Sequence, residues 1–337
     1  MIIPVDLKDR SYDVIVGSGC LKKASELLDL DRKVLIVTDS GVPEEYSETA
    51  ASFCKDPTVY RFEQGEENKT LNTFEKILEK MLENKFTRKD CVVAVGGGVV
   101  GDIAGFAAAS YMRGVDFYNV PTTVLSQVDS SIGGKTAVNL NGIKNAVGAF
   151  WQPKRVLIDT EVLKTLPKRQ ISAGLAEALK MAVTFDGELF KLFESTDPFL
   201  NIETIIERSL RIKADVVEKD ERESGLRRVL NFGHTIGHAI ESESFDGSLY
   251  HGECVAIGMI PMCSDKVRER LIPVLKKLDL PTSCRVDLDR VCEAMLHDKK
   301  SADGKITVIE SEEVGTYVQK TLDGEELRKR ASLIIRN

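Results

Sequence analysis

The sequence predicts an α/β protein of two domains: a parallel-sheet domain over residues 1–166, followed by a mainly α-helical C-terminal domain over residues 167–337. Three observations carry this. Short β-branched apolar runs alternate with helix-length segments through the first half, as strands joined by helical crossovers do. One of these runs, Cys91-Val92-Val93-Ala94-Val95, empties into the turn Gly96-Gly97-Gly98-Val99-Val100-Gly101-Asp102. Beyond Pro167 helical periodicity takes over and strand-like runs become few.

Taken in order, strands are expected at 12–16, 33–38, 58–62, 91–95 and 116–120, with helical segments at 19–28, 44–55, 71–84 and 103–111 between them. Strands this apolar, without polar alternation, suit a parallel sheet covered on both faces. The second half carries helical patterns at 171–184, 189–193, 202–220, 229–242 and 253–266. The charged run 218–223 is by default a solvated helix end. Residues 299–305, which contain Asp303-Gly304, read as an exposed loop before a strand at 306–309. The cleft beside an α/β domain is the usual place for a ligand.

At 337 residues, 42 % apolar and 29 % charged, the chain has the composition of an ordinary globular protein. A net charge of -7 argues against a nucleic-acid surface or a polybasic membrane patch. The seven cysteines (20, 54, 91, 254, 263, 284 and 292) are odd in number, scattered and never two residues apart. They read as reduced thiols of a cytoplasmic protein, not as a disulfide frame or a thiolate zinc site. The first six residues lack a basic start followed by an apolar core, and no apolar run reaches about 18 residues, so neither export nor a membrane span is expected.

The glycine turn matches the dinucleotide spacing at Gly96, Gly98 and Gly101. Bare backbone there admits a pyrophosphate, and the amides opening the helix at 103–110 would face it, which makes the N-terminal domain Rossmann-like. Two features depart from the standard pattern: the motif follows the third or fourth strand, and no acidic residue ends a strand about 20 residues later. Asp39, ending the strand at 34–38, is the better candidate for a ribose hydroxyl. A glycine-rich turn without a ligand is the alternative.

Three of the four histidines fall between Asn231 and His251. His234 and His238, four apart, share a helix face, and Gly233 and Gly237 remove side chains that would crowd a ligand. With His251 they read as a catalytic metal site with an open position; buried histidines satisfied by carbonyls are the alternative. The segments 121–137 and 144–153 are dense in small hydroxyl residues and glycines, with Lys135 and Lys144 among them. Such loops suit an anionic, hydroxyl-rich substrate: the lysines supply charge, Asn145 supplies neutral hydrogen bonds, and Asp129 can fix a substrate hydroxyl.

With these motifs in order, joined by Ala173-Gly174-Leu175-Ala176-Glu177-Ala178-Leu179-Lys180 and Glu221-Arg222-Glu223-Ser224-Gly225-Leu226-Arg227, the chain resembles the 3-dehydroquinate synthase family over nearly its whole length. The resemblance implies a lyase of the shikimate pathway. Such an enzyme turns 3-deoxy-D-arabino-heptulosonate 7-phosphate into 3-dehydroquinate and phosphate through transient NAD oxidation, β-elimination, re-reduction and aldol closure. It implies one divalent metal, zinc or cobalt, on Glu177, His234 and His251, in place of the His234–His238 pairing. It places NAD on Asp39, Glu66, Lys69, Gly97, Gly98, Asp102, Thr122, Thr123 and Lys144, and near Thr165. It places the substrate on Asp129, Lys135, Asn145, Lys180, Lys213, Arg227, Asn231 and His238, with Lys299, or its neighbour Lys300, from the late loop. Catalysis falls to Glu223, His238, Lys135, Asp129 and Arg227, with Glu223 and His238 in proton transfer or its relay. A homodimer is implied, with Arg113 reaching the neighbouring site.

Read as surface chemistry instead, Lys213 and Arg227 are helix-surface cations and Glu223 belongs to the solvated run. Another sugar phosphate cyclase is the nearest alternative activity; such relatives tend to differ at the positions of Lys213, Asn231 and His238. A metal-dependent polyol dehydrogenase is a second, although it has no need for the Lys135, Lys144 and Lys180 set. An inert NAD- or metal-binding regulator is the alternative of a different class.

Overall fold

Residues 34–37 show why the first half folds as a sheet buried on both faces. Val34 and Ile36 enter one apolar cluster with Val93, Val95, Leu157 and Leu21, while Leu35 and Val37 enter another with Val92, Ala94, Ile77 and Ile103. Period-two alternation therefore feeds two cores, and no polar face is left. The structure, a computed structural model, describes residues 1–244, 248–298 and 305–336. Lys299, Lys300 and Asp303-Gly304 lie outside them.

The chain divides into two compact units, one of Met1–Leu166 with Lys213–Arg222 and one of Pro167–Ile212 with Glu223–Asn337. Residues 213–222, expected within 167–337, group with the first unit. Local pattern gives no sign of it, because membership is decided by tertiary contacts.

The first unit contains, in order, β1 (Ile2–Val5), β2 (Tyr12–Val16), α1 (Ala24–Leu27), β3 (Lys33–Asp39), α2 (Glu44–Ser52), β4 (Asp56–Phe62), α3 (Leu71–Glu83), β5 (Cys91–Gly96), α4 (Gly98–Ser110), β6 (Asp116–Pro121), β7 (Lys135–Leu140), β8 (Ile143–Phe150) and β9 (Arg155–Ile158). Seven strands form one sheet in the order β1-β2-β9-β6-β5-β3-β4, parallel except for β1 against β2. From β3 the chain steps outward to β4, then returns to β5 on the other side of β3 and continues to β6. That reversal makes the carboxyl ends of β3 and β5 the topological switch point, where open α/β sheets take their ligands. Asp39 and Gly96 sit at those two ends.

Several expectations change. The glycine turn follows the fifth strand, because β1 precedes the first one expected. Its helix begins at Gly98, not 103, since the glycines that read as a loop are themselves the first helical turn. The expected helix at 19–28 is two short turns, Cys20–Lys23 and Ala24–Leu27. Residues 135–137 and 144–150, within segments read as loops, belong to the β7–β8 hairpin, which turns at Asn141 and Gly142, both at positive φ.

The second unit is built mainly of helices: α5 (Lys168–Phe185), α6 (Gly187–Ser195), the first part of α7 (Ile202–Lys219), α8 (His234–Glu243), α9 (His251–Met259), α10 (Asp265–Lys277), α11 (Leu288–Asp298) and α12 (Gly324–Ala331). One two-stranded antiparallel sheet, β10 (Ile306–Glu310) with β11 (Val318–Leu322), completes it. The helix expected at 229–242 starts only at His234, after Gly233 at φ 77°. The one expected at 253–266 stops at Met259, just before a short turn containing Pro261. Among the described residues no helix is long and apolar enough to cross a membrane.

Candidate active site

In the first unit the residues at the switch point leave backbone bare. Gly97 caps α4 in an extended conformation without a side-chain hydrogen bond, so the helix opens with amides that no cap satisfies. A Cβ on Gly96 would stand 2.5 Å from Val100, and one on Gly97 or Gly98 would stand 3.2 Å from Thr123 or Ser130. A side chain at Gly96 would thus collide with Val100 and one at Gly97 or Gly98 would crowd its neighbour, and a helix of this length with free N-terminal amides suits a pyrophosphate. Asp39, buried, accepts from the Gly41 amide at 2.9 Å. Arg61 holds the same turn by donating to the Asp39 and Val42 carbonyls at 3.1 and 3.0 Å and to Ser47 Oγ at 3.1 Å. Thr122 donates its amide to Gly96 O at 2.9 Å, Thr123 Oγ1 lies 2.8 Å from Ser126 Oγ, and Thr165 Oγ1 lies 2.9 Å from Tyr46 Oη.

A second cluster joins expected nucleotide residues to an expected substrate residue. Lys69 Nζ, buried, reaches Asp102 Oδ2 and Asn145 Oδ1, each at 2.5 Å. Burial pushes the Asp102 carboxyl up, and Lys69 opposes that shift. Asn139, which the sequence reading passed over, bridges Glu66 and the backbone of Asn145. Lys213 donates to both the carboxylate and the carbonyl of Asp129. Lys135 opens β7 and Lys144 lies in β8, both exposed.

Two surface readings fail. Lys213 and Arg227 are 5 % and 2 % exposed, so neither is a helix-surface cation. The run 218–223 is not simply solvated: Glu218 accepts from the Asp6 amide, Glu221 from Arg10 and Gln152, and Glu223 from Asn231 Nδ2 at 2.6 Å. Arg113, Asn145 and Glu223 also adopt φ of 69°, 54° and 59°. Lys8, Lys85, Met112, Asn141 and Asp279 share that region, so the conformation alone does not mark a site.

In the second unit, α5 supplies Glu177 and Lys180, α8 supplies His234 and His238, and α9 begins at His251. Glycines bring these helices together, where the sequence predicts that they make room for a ligand. A Cβ on Gly233 would meet Met259 Cγ at 2.6 Å, and one on Gly237 would meet the Cys254 carbonyl oxygen at 3.0 Å. Both glycines clear α9, not a ligand. Gly252 likewise lies against α5, where its Cβ would fall 1.8 Å from Ala173 O. At this close approach the three imidazoles stand with ring centroids 5.1, 5.4 and 5.6 Å apart.

Ligand atoms of His234, His238 and His251 gather within 4.8 Å of one another. Glu177 competes with His238 for the third place, and two observations favour the carboxylate. Its Oε1 lies 3.6 Å from His234 Nε2 and 3.3 Å from His251 Nε2. Both Glu177 oxygens are buried without a well-directed hydrogen bond, although Lys180 Nζ approaches Oε2 at 2.5 Å. A buried carboxylate with so few well-directed donors is costly unless nearby cations complete it. Each of the two imidazoles is fixed from behind, His234 Nδ1 by Phe232 O at 3.1 Å and His251 Nδ1 by Glu241 at 3.0 Å, leaving both Nε2 atoms for the same point. His238 is the exposed member of the group.

The electrostatics agree with a cation site. Burial raises the Glu177 carboxyl, yet Lys180, His234 and His251 outweigh it and hold the group ionised, well below the usual carboxylate range. Burial drives His234 well below the usual imidazole value against the pull of Glu177, which keeps the ring neutral. His251, despite burial, is pushed up to about 10 by Glu177 and Glu241, the two carboxylates its ring faces. One carboxylate and two imidazoles at one point suit a divalent ion of the zinc class with an open position.

Residues 59–173 match the family described as 3-dehydroquinate synthase N-terminal, and residues 174–301 match its C-terminal counterpart. A 3-dehydroquinate synthase of Ruminiclostridium cellulolyticum is 40 % identical, with 99 % of each chain covered. A crystal structure of 2-deoxy-scyllo-inosose synthase complexed with carbaglucose-6-phosphate, NAD+ and Co2+ superposes with a TM-score of 0.90 at 28 % identity, over 98 % of both chains. A 2-epi-5-epi-valiolone synthase from Streptomyces hygroscopicus with NAD+ and Zn2+ bound gives 0.88 at 28 % identity, again over 98 % of both. With both family segments matched in order and identity sustained from end to end, the chain belongs to the 3-dehydroquinate synthase family.

Proposed function

We propose that the chain converts 3-deoxy-D-arabino-heptulosonate 7-phosphate into 3-dehydroquinate and inorganic phosphate, as a lyase of aromatic amino acid biosynthesis. The observation that carries the reading is the buried, donor-poor carboxylate of Glu177 facing the Nε2 atoms of His234 and His251. Identity of 40 % to a dehydroquinate synthase, against 28 % to the inosose and valiolone synthases, favours this substrate over theirs. In the reaction a ring alcohol is oxidised, which acidifies the neighbouring C–H. Phosphate then leaves by β-elimination, the ketone is reduced again, and ring opening exposes an enolate that closes on a carbonyl. NAD supplies a hydride acceptor restored within each turnover, and the divalent metal, zinc or cobalt, supplies a Lewis acid for the alcohol.

Glu177, His234 and His251 hold the metal. Asp39, Gly97, Gly98, Lys69 and Asp102 hold NAD, with Glu66, Thr122, Thr123, Lys144 and Thr165 around it. Lys135, Asn145, Asn231 and His238 take the phosphate, and Arg113 reaches the neighbouring site in a homodimer. Asp129, Lys180, Lys213 and Arg227 bind and orient the sugar acid; Asp129 and Lys213 pair with each other until a substrate hydroxyl and carboxylate separate them. Orientation of this kind contributes roughly 7 to 11 kcal/mol towards such barriers. His238, exposed, exchanges protons with water, and Glu223, linked to Asn231 at 2.6 Å, relays them. Seven free thiols suit a cytoplasmic home.

The test is phosphate release from 3-deoxy-D-arabino-heptulosonate 7-phosphate with catalytic NAD and zinc, while absorbance is followed for NADH. Phosphate without lasting NADH, abolished by a chelator, is the expected result. No phosphate from this substrate but release from a hexose or heptulose phosphate makes the chain another cyclase. Steady NADH from a polyol makes it a dehydrogenase.

A further inference from the structure

Asn139 makes contacts on both sides of the boundary between nucleotide and substrate residues. Its position is irregular: the β7–β8 register shifts between Val138 and Leu140, so the residue between them is released from the ladder. Its amide nitrogen donates to Lys69 O at 2.8 Å, forming an isolated bridge beside Thr70. Its side-chain Nδ2 donates to Glu66 Oε1 at 2.9 Å, while its Oδ1 accepts from the Asn145 amide at 2.8 Å. Lys69 Nζ closes the ring by reaching Asn145 Oδ1. Asn145 is in the left-handed region at φ 54°, which asparagine adopts more readily than most residues. The Asn139 oxygen is the side-chain acceptor that holds its amide.

We propose that Asn139 is a positioning residue whose two ends serve two subsites: Nδ2 sets Glu66 for the nucleotide, and Oδ1 sets Asn145 for the sugar phosphate. This rests on the function proposed above. An amide is the side chain that can do both, since it donates at one end and accepts at the other. A carboxylate of the same shape keeps only the accepting end and places like charge beside Glu66.

The experiment measures two constants on the metal-loaded protein: NAD dissociation by calorimetry and the KM for 3-deoxy-D-arabino-heptulosonate 7-phosphate by phosphate release. Asn139→Ala should raise both, each on the order of tenfold, as loss of one ordering hydrogen bond per subsite implies. Asn139→Asp should raise the NAD constant while leaving the KM within about twofold, because the contact to Asn145 survives. A residue with only a scaffolding role would move both constants together in both variants. Should Asn139→Ala fail to fold, the isosteric Asp variant still separates the two ends. An Ala variant with either constant unmoved, or an Asp variant in which both rise equally, overturns the inference. A wild type that neither binds NAD nor releases phosphate overturns the functional reading beneath it instead.

Discussion

Nδ1 of His251 lies 3.0 Å from Glu241 Oε2, so the ring that faces Glu177 through Nε2 is held from behind by a second carboxylate. Glu241 stands seven residues after His234 on α8, on the face that also carries His238. His234 has a backbone carbonyl in the same role, which no substitution at Phe232 removes. The two proposed ligands therefore differ in how they can be disturbed.

Glu241→Ala should weaken zinc binding by about 10- to 100-fold, the range typical of lost outer-shell partners. Glu241→Gln should fall between, since its amide oxygen still accepts from Nδ1 but lacks the charge that raises imidazole basicity. Competition with a chromogenic chelator measures this directly. Equal affinity in all three proteins would show that Glu241 only fills space.

Glu177 and His238 compete for the third ligand place, and metal content separates them. Glu177→Gln should lose most bound zinc, and His234→Ala should lose it as well. His238→Ala should retain metal while turnover falls by about 100-fold or more, the scale of a lost acid–base group. Metal analysis after gel filtration decides it. A His238 variant that emerges metal-free would return the site to three histidines.

How much of this was legible in the chain depends on what each residue answers to. Cys91 to Val95 could be read because each residue of the run is buried on one face or the other, and that demand is written in composition. The start of α4 at Gly98 could not, because glycine is chosen there for bare backbone and a propensity reading turns it into a loop. Strand β8 of the hairpin is largely exposed and gives little apolar signal, yet Asn141-Gly142 is a turn signal in the sequence. Gly233 and Gly237 were seen but given the wrong neighbour, since spacing along one helix says nothing about the helix packed against it. Asn139 carried no local mark, and Glu177 entered the metal site only by resemblance: its partners lie on other helices.

Asp39 combines its proposed nucleotide role with a stability cost. Burial pushes its carboxyl above the usual value, with the Gly41 and Val42 amides and Arg61 opposing. A carboxyl raised on folding favours the native state below its unfolded value, about 4, and loses that contribution as pH rises through the folded value. At neutral pH the charge is thus a liability to the fold. Asp39→Asn keeps an oxygen for the Gly41 amide and should hold or raise Tm at pH 7, with the difference shrinking towards pH 4. NAD affinity should fall by about 10- to 100-fold with the charged hydrogen bond. A lower Tm at neutral pH would contradict the sign.

Gly252 tests whether helix approach builds the metal site. It follows His251 on α9, and its missing Cβ would sit 1.8 Å from the Ala173 carbonyl oxygen of α5, four residues before Glu177. Backbone atoms there cannot swing aside as a flexible side chain does, so α5 and α9 must separate, and with them His251 and Glu177. Gly252→Ala should cost about 1–3 kcal/mol or more, a Tm fall of several degrees, and should weaken zinc binding in the same protein. Gly142→Ala is the control. Its Cβ meets nothing within 4 Å, but φ of 79° strains it, so about 1–2 kcal/mol is lost with no change in metal affinity. Zinc binding preserved in Gly252→Ala, despite lower stability, would mean that the ligands are held by their own side-chain contacts and not by the spacing of the two helices.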